Sequence, residues 1–194
     1  TWAEEFLVDK GTWIESKLDA FRKTVGYAAT DEIRDGFSIK FLGEDMLFVV
    51  TECEKEKVYS EGKLIHICCR DANDQSKIQR QFENWWRKQA KALLQERTEH
   101  WYPIIEKYGI PMPKVSVRKM KTLWGSCRVN RGIITLNFYL IKAGIPYIDY
   151  VVLHELTHFL YPNHSKQFYM FLSNYMPDWK ERKQVLDQDI VHGL

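Results

Sequence analysis

The segment that most restricts how this chain can fold lies between two prolines, Pro146 and Pro162, and reads PYIDYVVLHELTHFLYP. Proline opens a helix without losing a needed N–H donor but cannot sit inside one, so the spacing predicts a helix that starts at Pro146 and runs on until Pro162. Apolar side chains fall on nearly every turn of that stretch, which predicts burial on most sides and obliges the rest of the chain to pack around it. The same helix carries His154, Glu155 and His158. Residues four apart project from one helical face, so the two imidazoles can address one tetrahedral ion. Two protein ligands alone hold a metal loosely, and His164 follows just past the helix-breaking Pro162, where the chain can turn back. Three of the six histidines thus fall in one short stretch, and their spacing predicts that His154, His158 and His164 ligate a metal.

An unpaired buried carboxylate is costly, so Glu155 needs a metal or a water beside it. These residue types predict one Zn2+ per chain with a fourth position left for water, in a hydrolase where Glu155 takes the water proton as general base. A structural zinc would fill four positions with protein ligands, and only three are evident. Candidates for stabilising an oxyanion are Tyr139, Tyr161, Tyr169 and Asn137, none favoured over the others. Asp149, Asp178 and Glu181 are candidates, by sequence proximity, for orienting the histidines.

Thr12 and Glu15 have capping-box spacing and predict a first helix near 13–24. The segments FSIKFLG, MLFVVTE and KLIHICCR are rich in β-branched and aromatic residues and predict a small antiparallel meander between 37 and 69. From Gln75 to Tyr108, Ile78, Phe82, Trp85, Leu93 and Ile104 recur at helical spacing behind a cap at Asp74, which predicts a long helix bent near Pro103. PMPKVSVRKM reads as a strand and GIITLNFYLI as a second strand or a strand-to-helix passage, with a loop over 124–132 between them. KQFYMFLSNYM and the stretch after Asp178 read as two further helices.

With 194 residues, 45% of them apolar and 28% charged, the chain fits a single domain over 1–194. Residues 1–72 form its N-terminal β-containing lobe and 73–194 its metal-binding core. No run of 18 apolar residues occurs, and TWAEEFLVDKG lacks the features of a signal peptide, so no membrane partner is expected. Cys53, Cys68, Cys69 and Cys127 show no CxxC pair, which fits reduced thiols and a cytoplasmic location. The net charge of +2 is unevenly spread: 1–62 carry 14 acids against 8 bases, whereas 114–132 carry six bases and no acid. That basic run either solvates an exposed strand and loop, the commoner meaning of such runs, or faces an anion.

The stretches HELTHFLYPNHSKQFY and MPDWKERKQVL, preceded by LWGSCR and ITLNFYL, resemble the YgjP-like metallopeptidases, relatives of the SprT-like and WLM zincins. The resemblance covers 75–194, with weaker echoes at Trp13-Ile14 and 41–43, and the chain starts at what would be the linker after the family's N-terminal β-hairpin. It implies an α+β, zincin-like metallopeptidase core with a small antiparallel β layer, a long helix and the H-E-x-x-H helix. It also implies that Trp124 to Cys127 line or brace the active-site side; the alternative reading of those residues is a tight turn with a buried Trp and an inert thiol. The metzincin pattern shares the histidine spacing, and Met176 stands where a Met turn could be, but Tyr161 replaces its turn glycine. Peptide or protein is the expected substrate. Two alternatives stay open: hydrolysis of nucleoside triphosphates, with 114–132 binding phosphates, and either a non-enzymatic zinc module or a DNA-associated protease in the manner of SprT relatives, with Lys77, Arg80, Arg87, Lys88 and Lys91 meeting phosphates.

Overall fold

A computed structural model describes residues 33–192. The helix expected near 13–24 lies outside the described residues. The first sheet contains β1 (Ser38–Phe41), β2 (Glu44–Glu52), β3 (Lys57–Glu61) and β4 (Leu64–Cys69), in the order β1-β2-β4-β3. It is not the expected meander. β4 inserts between β2 and β3 and runs parallel to β2, while β3, which the sequence reading passed over, forms the edge. The reason is burial. LIHICC is the most apolar of the four segments and takes a central place with neighbours on both sides, whereas KVYSE is polar enough to sit at an edge.

β1 and β2 are joined by Leu42 and Gly43, both at positive φ (54° and 86°), as a two-residue turn of this twist requires. The turn docks further along the chain: Leu42 N–H donates to the Ile141 carbonyl at 2.8 Å and Gly43 N–H to that of Lys142 at 2.9 Å. A Cβ on Gly43 would sit 3.3 Å from the Gly144 Cα, so glycine allows the approach. The N-terminal sheet is thereby pinned to the segment that leads into the helix carrying His154 and His158.

Helix α1 (Gln75–Trp101) begins at Asp74, whose carboxylate accepts from the Lys77 N–H at 3.0 Å. It ends ahead of Pro103, and α2 (Pro103–Glu106) adds one turn. Its buried stripe is Ile78, Phe82, Trp86, Ala90, Leu94 and Thr98, so the deep positions are Trp86 and Leu94, and their neighbours Trp85 and Leu93 pack only partly against the core. Trp86 meets Phe41, Phe82 and Phe138 and donates its indole N–H to the Phe138 carbonyl at 3.0 Å.

The second sheet has the order β5-β7-β6, with β5 (Lys114–Arg118) parallel and β6 (Gly125–Arg128) antiparallel to the central β7 (Ile133–Asn137). The loop expected over 124–132 is largely this edge strand followed by one 3-10 turn. A 3-10 turn over Phe138–Lys142 then leads to α3 (Ile145–Thr157), α4 (Lys166–Tyr175) and α5 (Trp179–His192). Helix α3 stops at Thr157, short of Pro162, with His158 as its C-cap. Buried side chains from both sheets and the helices form one continuous core. The architecture is α+β.

One ion pair ties α1 to α3. Arg97 of α1 grips Asp149 of α3 with two hydrogen bonds, Nε to Oδ1 at 2.7 Å and Nη2 to Oδ2 at 3.0 Å. Both side chains are largely buried, so removing one partner strands the other. Asp149→Ala should lower the unfolding free energy by about 3 kcal/mol in a denaturant titration, and Arg97→Met with Asp149→Leu should cost clearly less than that. A single substitution that costs less than about 0.5 kcal/mol would show the pair to be incidental.

Candidate metal centre

Helix α3 is buried through Ile148, Val151, Val152, Leu153 and Leu156, and His154 and His158 emerge one turn apart at its C-terminal end. Beyond it the chain turns through residues 159–164, with Tyr161 N–H donating to the Thr157 carbonyl, and Ser165 caps α4 by accepting from the Phe168 N–H. That turn brings His164 back over α3. The potential ligand atoms of His154, His158 and His164 all lie within 4.8 Å of one another, and the Nε2 atoms of His154 and His164 are 2.9 Å apart. Nitrogens bound tetrahedrally to one zinc sit about 3.3 Å apart, so small ring movements close the set on one ion. The structure therefore brings together all three histidines singled out from the sequence.

The rings are held from below by Phe168, whose centroid lies 4.9, 4.8 and 4.8 Å from those of His154, His158 and His164. Tyr150 packs against His154, while Tyr169 stacks on His164 and on Trp179. His158 Nδ1 lies 3.2 Å from the Tyr161 carbonyl, and donation of Nδ1–H there leaves Nε2 for a metal. Two of the three carboxylates proposed to orient the histidines are occupied elsewhere, Asp149 by Arg97 and Asp178 by Arg182 at 2.9 Å, and the third, Glu181, is exposed. A backbone carbonyl takes the role expected of them at His158. Asn137 is likewise committed, since it accepts from Tyr139 N–H and donates to the carbonyls of Met120 and Leu123, bracing the loop ahead of β6.

Glu155 lies against Gly125 of β6. It is almost wholly buried, and its Oε2 has no hydrogen-bond partner among the described residues. Burial alone pushes its carboxyl up to about 8. Burial, then the neighbouring His158 and His164, push His154 down to about 3, and burial also lowers His158. Neutral imidazoles are the form that ligates a metal. A dication at the cluster supplies the charge that both an orphaned buried carboxylate and three crowded neutral imidazoles call for, so the residues present fit the metal that the spacing predicts.

The space for Glu155 exists because residue 125 has no side chain. A Cβ built on Gly125 would lie 2.6 Å from the Glu155 Oε1, 2.7 Å from Cγ and 2.9 Å from Cδ. Reading the sequence passed over this glycine's partner, as well as Phe168 and Tyr150, because each acts through a contact remote in sequence or through an apolar ring that looks like ordinary core. Trp124 and Cys127 pack against the core on either side of Gly125. The Cys127 thiol is pushed up to about 12 by burial and then by the charge of Glu155, which suits a packing role.

Two outcomes follow. Gly125→Ala should destabilise the protein by about 1–3 kcal/mol through overpacking, and a crystal structure of the variant should show Glu155 displaced; an undisturbed carboxylate at wild-type stability would contradict the packing described. Cys127 should alkylate far more slowly than a free thiol at neutral pH, which peptide mapping after timed iodoacetamide treatment reads directly.

Comparison with known proteins places the chain in a family. A family model described as the YgjP-like metallopeptidase domain matches residues 2–189, a wider span than the motifs at 75–194 had indicated. No curated protein matches the chain. Among solved structures, the chain is similar to the metallopeptidase zymogen abylysin of Pyrococcus abyssi, with 22% identity and a TM-score of 0.45 over 50% of this chain and 93% of that one. It is similar also to the metallopeptidase zymogen jannalysin of Methanocaldococcus jannaschii, with 22% identity and a TM-score of 0.43 over 50% of this chain and 96% of that one. The chain belongs to the YgjP-like metallopeptidase family and is by that membership a hydrolase.

Proposed function

We propose that this protein cleaves peptide bonds with one Zn2+ per chain, held by His154, His158 and His164, and with Glu155 as general base. One observation carries the reading: three imidazoles converge on a common point while the next residue in the helix is a buried carboxylate whose second oxygen has no partner. When bound, the zinc supplies Lewis acidity, polarising the substrate carbonyl and bringing the pKa of water from about 15.7 to roughly 7. The protein's own part is to aim and to exclude. Phe168 fixes the three rings, the Tyr161 carbonyl sets the His158 tautomer, and Gly125 leaves the pocket in which the Glu155 carboxylate lies. Glu155 Oε2, free of other hydrogen bonds, is available to accept the proton of the attacking water and to return it to the leaving amine. Tyr169, beside His164 and partly exposed, is the best placed of the four side chains considered for an oxyanion.

We read the chain as one domain, because its core is continuous across the lobe boundary at 72–73. No helix of the described residues is long and apolar enough to cross a membrane. A cytoplasmic setting is supported by the four cysteines, which are all free thiols. A second reading, phosphoanhydride hydrolysis at the same centre, draws only on the basic run at 114–132.

The test compares native protein, Glu155→Gln and His158→Ala for metal content and for hydrolysis of peptide and nucleotide panels. Native protein and Glu155→Gln should each hold about one zinc, and Glu155→Gln should lose roughly a hundredfold to ten-thousandfold in peptide turnover. His158→Ala should lose both metal and activity. Cleavage of nucleotides alone would replace the peptidase reading, and a native protein that takes up no zinc when supplied with it would end it.

A further inference from the structure

We propose that the outer face of the β5-β7-β6 sheet docks on the phosphate backbone of a nucleic acid. The inference starts from charge. Between Glu106 and Asp149 the chain has no acidic residue and eight basic ones, and the second sheet lies wholly inside that stretch. Strand alternation then sorts its side chains onto two faces. Val115, Val117, Cys127, Ile134 and Leu136 pack into the core with Gly125 beside Glu155, which makes that the face toward α1 and α3.

The other face carries what remains, and the register sets it in rows. Lys114, Ile133 and Arg128 lie side by side across the three strands, followed by Ser116, Thr135 and Ser126, and then by Arg118 beside Asn137. Half-buried Ser116 and Ser126 flank a buried Thr135, and this row is framed by cations at both ends. The rows span about 10 Å across the sheet and about 13 Å along β5. Lys114, Arg118 and Arg128 are exposed, as are Lys121 and Arg131 at the margins, and none of these five takes part in an ion pair among the described residues. Lys119, by contrast, is paired with Glu83 at 2.6 Å.

Arginine, lysine and serine or threonine hydroxyls are the side chains that most often meet nucleic-acid phosphates. A membrane surface fits less well, because the exposed hydrophobes nearby, Met112, Leu123 and Val129, lie outside the strands rather than in the charged rows. The cations of α1 raised from the sequence are also weaker candidates: Lys77 is paired with Asp74 and Arg87 lies over the Phe138 ring. Docking here leaves the metal centre open, since Glu155 lies on the opposite face of the same sheet.

The experiment measures binding of the full chain to fluorescein-labelled 20-nucleotide DNA and RNA, single-stranded and duplex, between 50 and 200 mM salt, with anionic phospholipid vesicles and polyglutamate as competing probes. It needs no catalysis, so its result stands apart from the peptidase assay. With about four phosphates engaged, affinity should fall roughly a hundredfold across that salt range. Lys114→Gln with Arg118→Gln and Arg128→Gln should weaken binding at least tenfold and flatten the salt slope by about one per cation removed, whereas Lys88→Gln with Lys91→Gln should change little. Ser116→Glu, a single exposed-face change, should weaken it as well. Undetectable nucleic-acid binding at 50 mM salt, equal loss in the α1 variant, or preference for vesicles or polyglutamate would overturn the assignment.

Discussion

A helix buried on most sides can keep a carboxylate and two imidazoles only where something offsets their lost hydration, and that constraint organises this protein around α3. Ile148, Val151, Val152, Leu153 and Leu156 drive the helix into the core, and His154, Glu155 and His158 are carried in with it. The surroundings answer each polar group differently. His158 has a backbone carbonyl, Glu155 has a cavity cleared by Gly125, and the three histidines have each other at a spacing that suits a cation. Further back, Asp149 on the same helix is answered by the two-pronged grip of Arg97, so α1 and α3 are locked in the register that delivers the site.

The two sheets serve the same helix in distinct ways. The first is attached through the Leu42-Gly43 turn, whose N–H groups bond to the carbonyls of Ile141 and Lys142 just before α3 begins. The second lies directly against α3, and its edge strand forms the wall behind Glu155. The small sheet thereby separates two chemistries: a dry face that shapes a carboxylate and a wet face that gathers unpaired cations.

The clustering of the three histidines was legible in the sequence because helical geometry fixes what a four-residue spacing means and because a proline forces the turn that returns His164. The long helix and its bend were legible for related reasons, through Asp74 and Pro103. What escaped depended on contacts that no local pattern encodes. The placement of β4 between β2 and β3 follows from which strand is most apolar over both faces, and the short run GSCR looked like a loop because an edge strand with a glycine has little periodicity. Gly125 pairs with a residue thirty positions on, and Asp149, offered as a partner for histidine, is claimed by an arginine fifty-two positions earlier. The depth of Trp86 over Trp85 likewise depends on where Phe138 and Phe41 come to lie.

The central claim concerns what three histidines hold and what they leave open, and X-ray absorption at the zinc edge on the zinc-loaded native protein tests it most directly. The account predicts three imidazole nitrogens at about 2.0–2.1 Å with the remaining coordination from light oxygen, and no sulfur. A shell at about 2.3 Å, the distance of a zinc–thiolate bond, or a fourth imidazole closing the site, would contradict it.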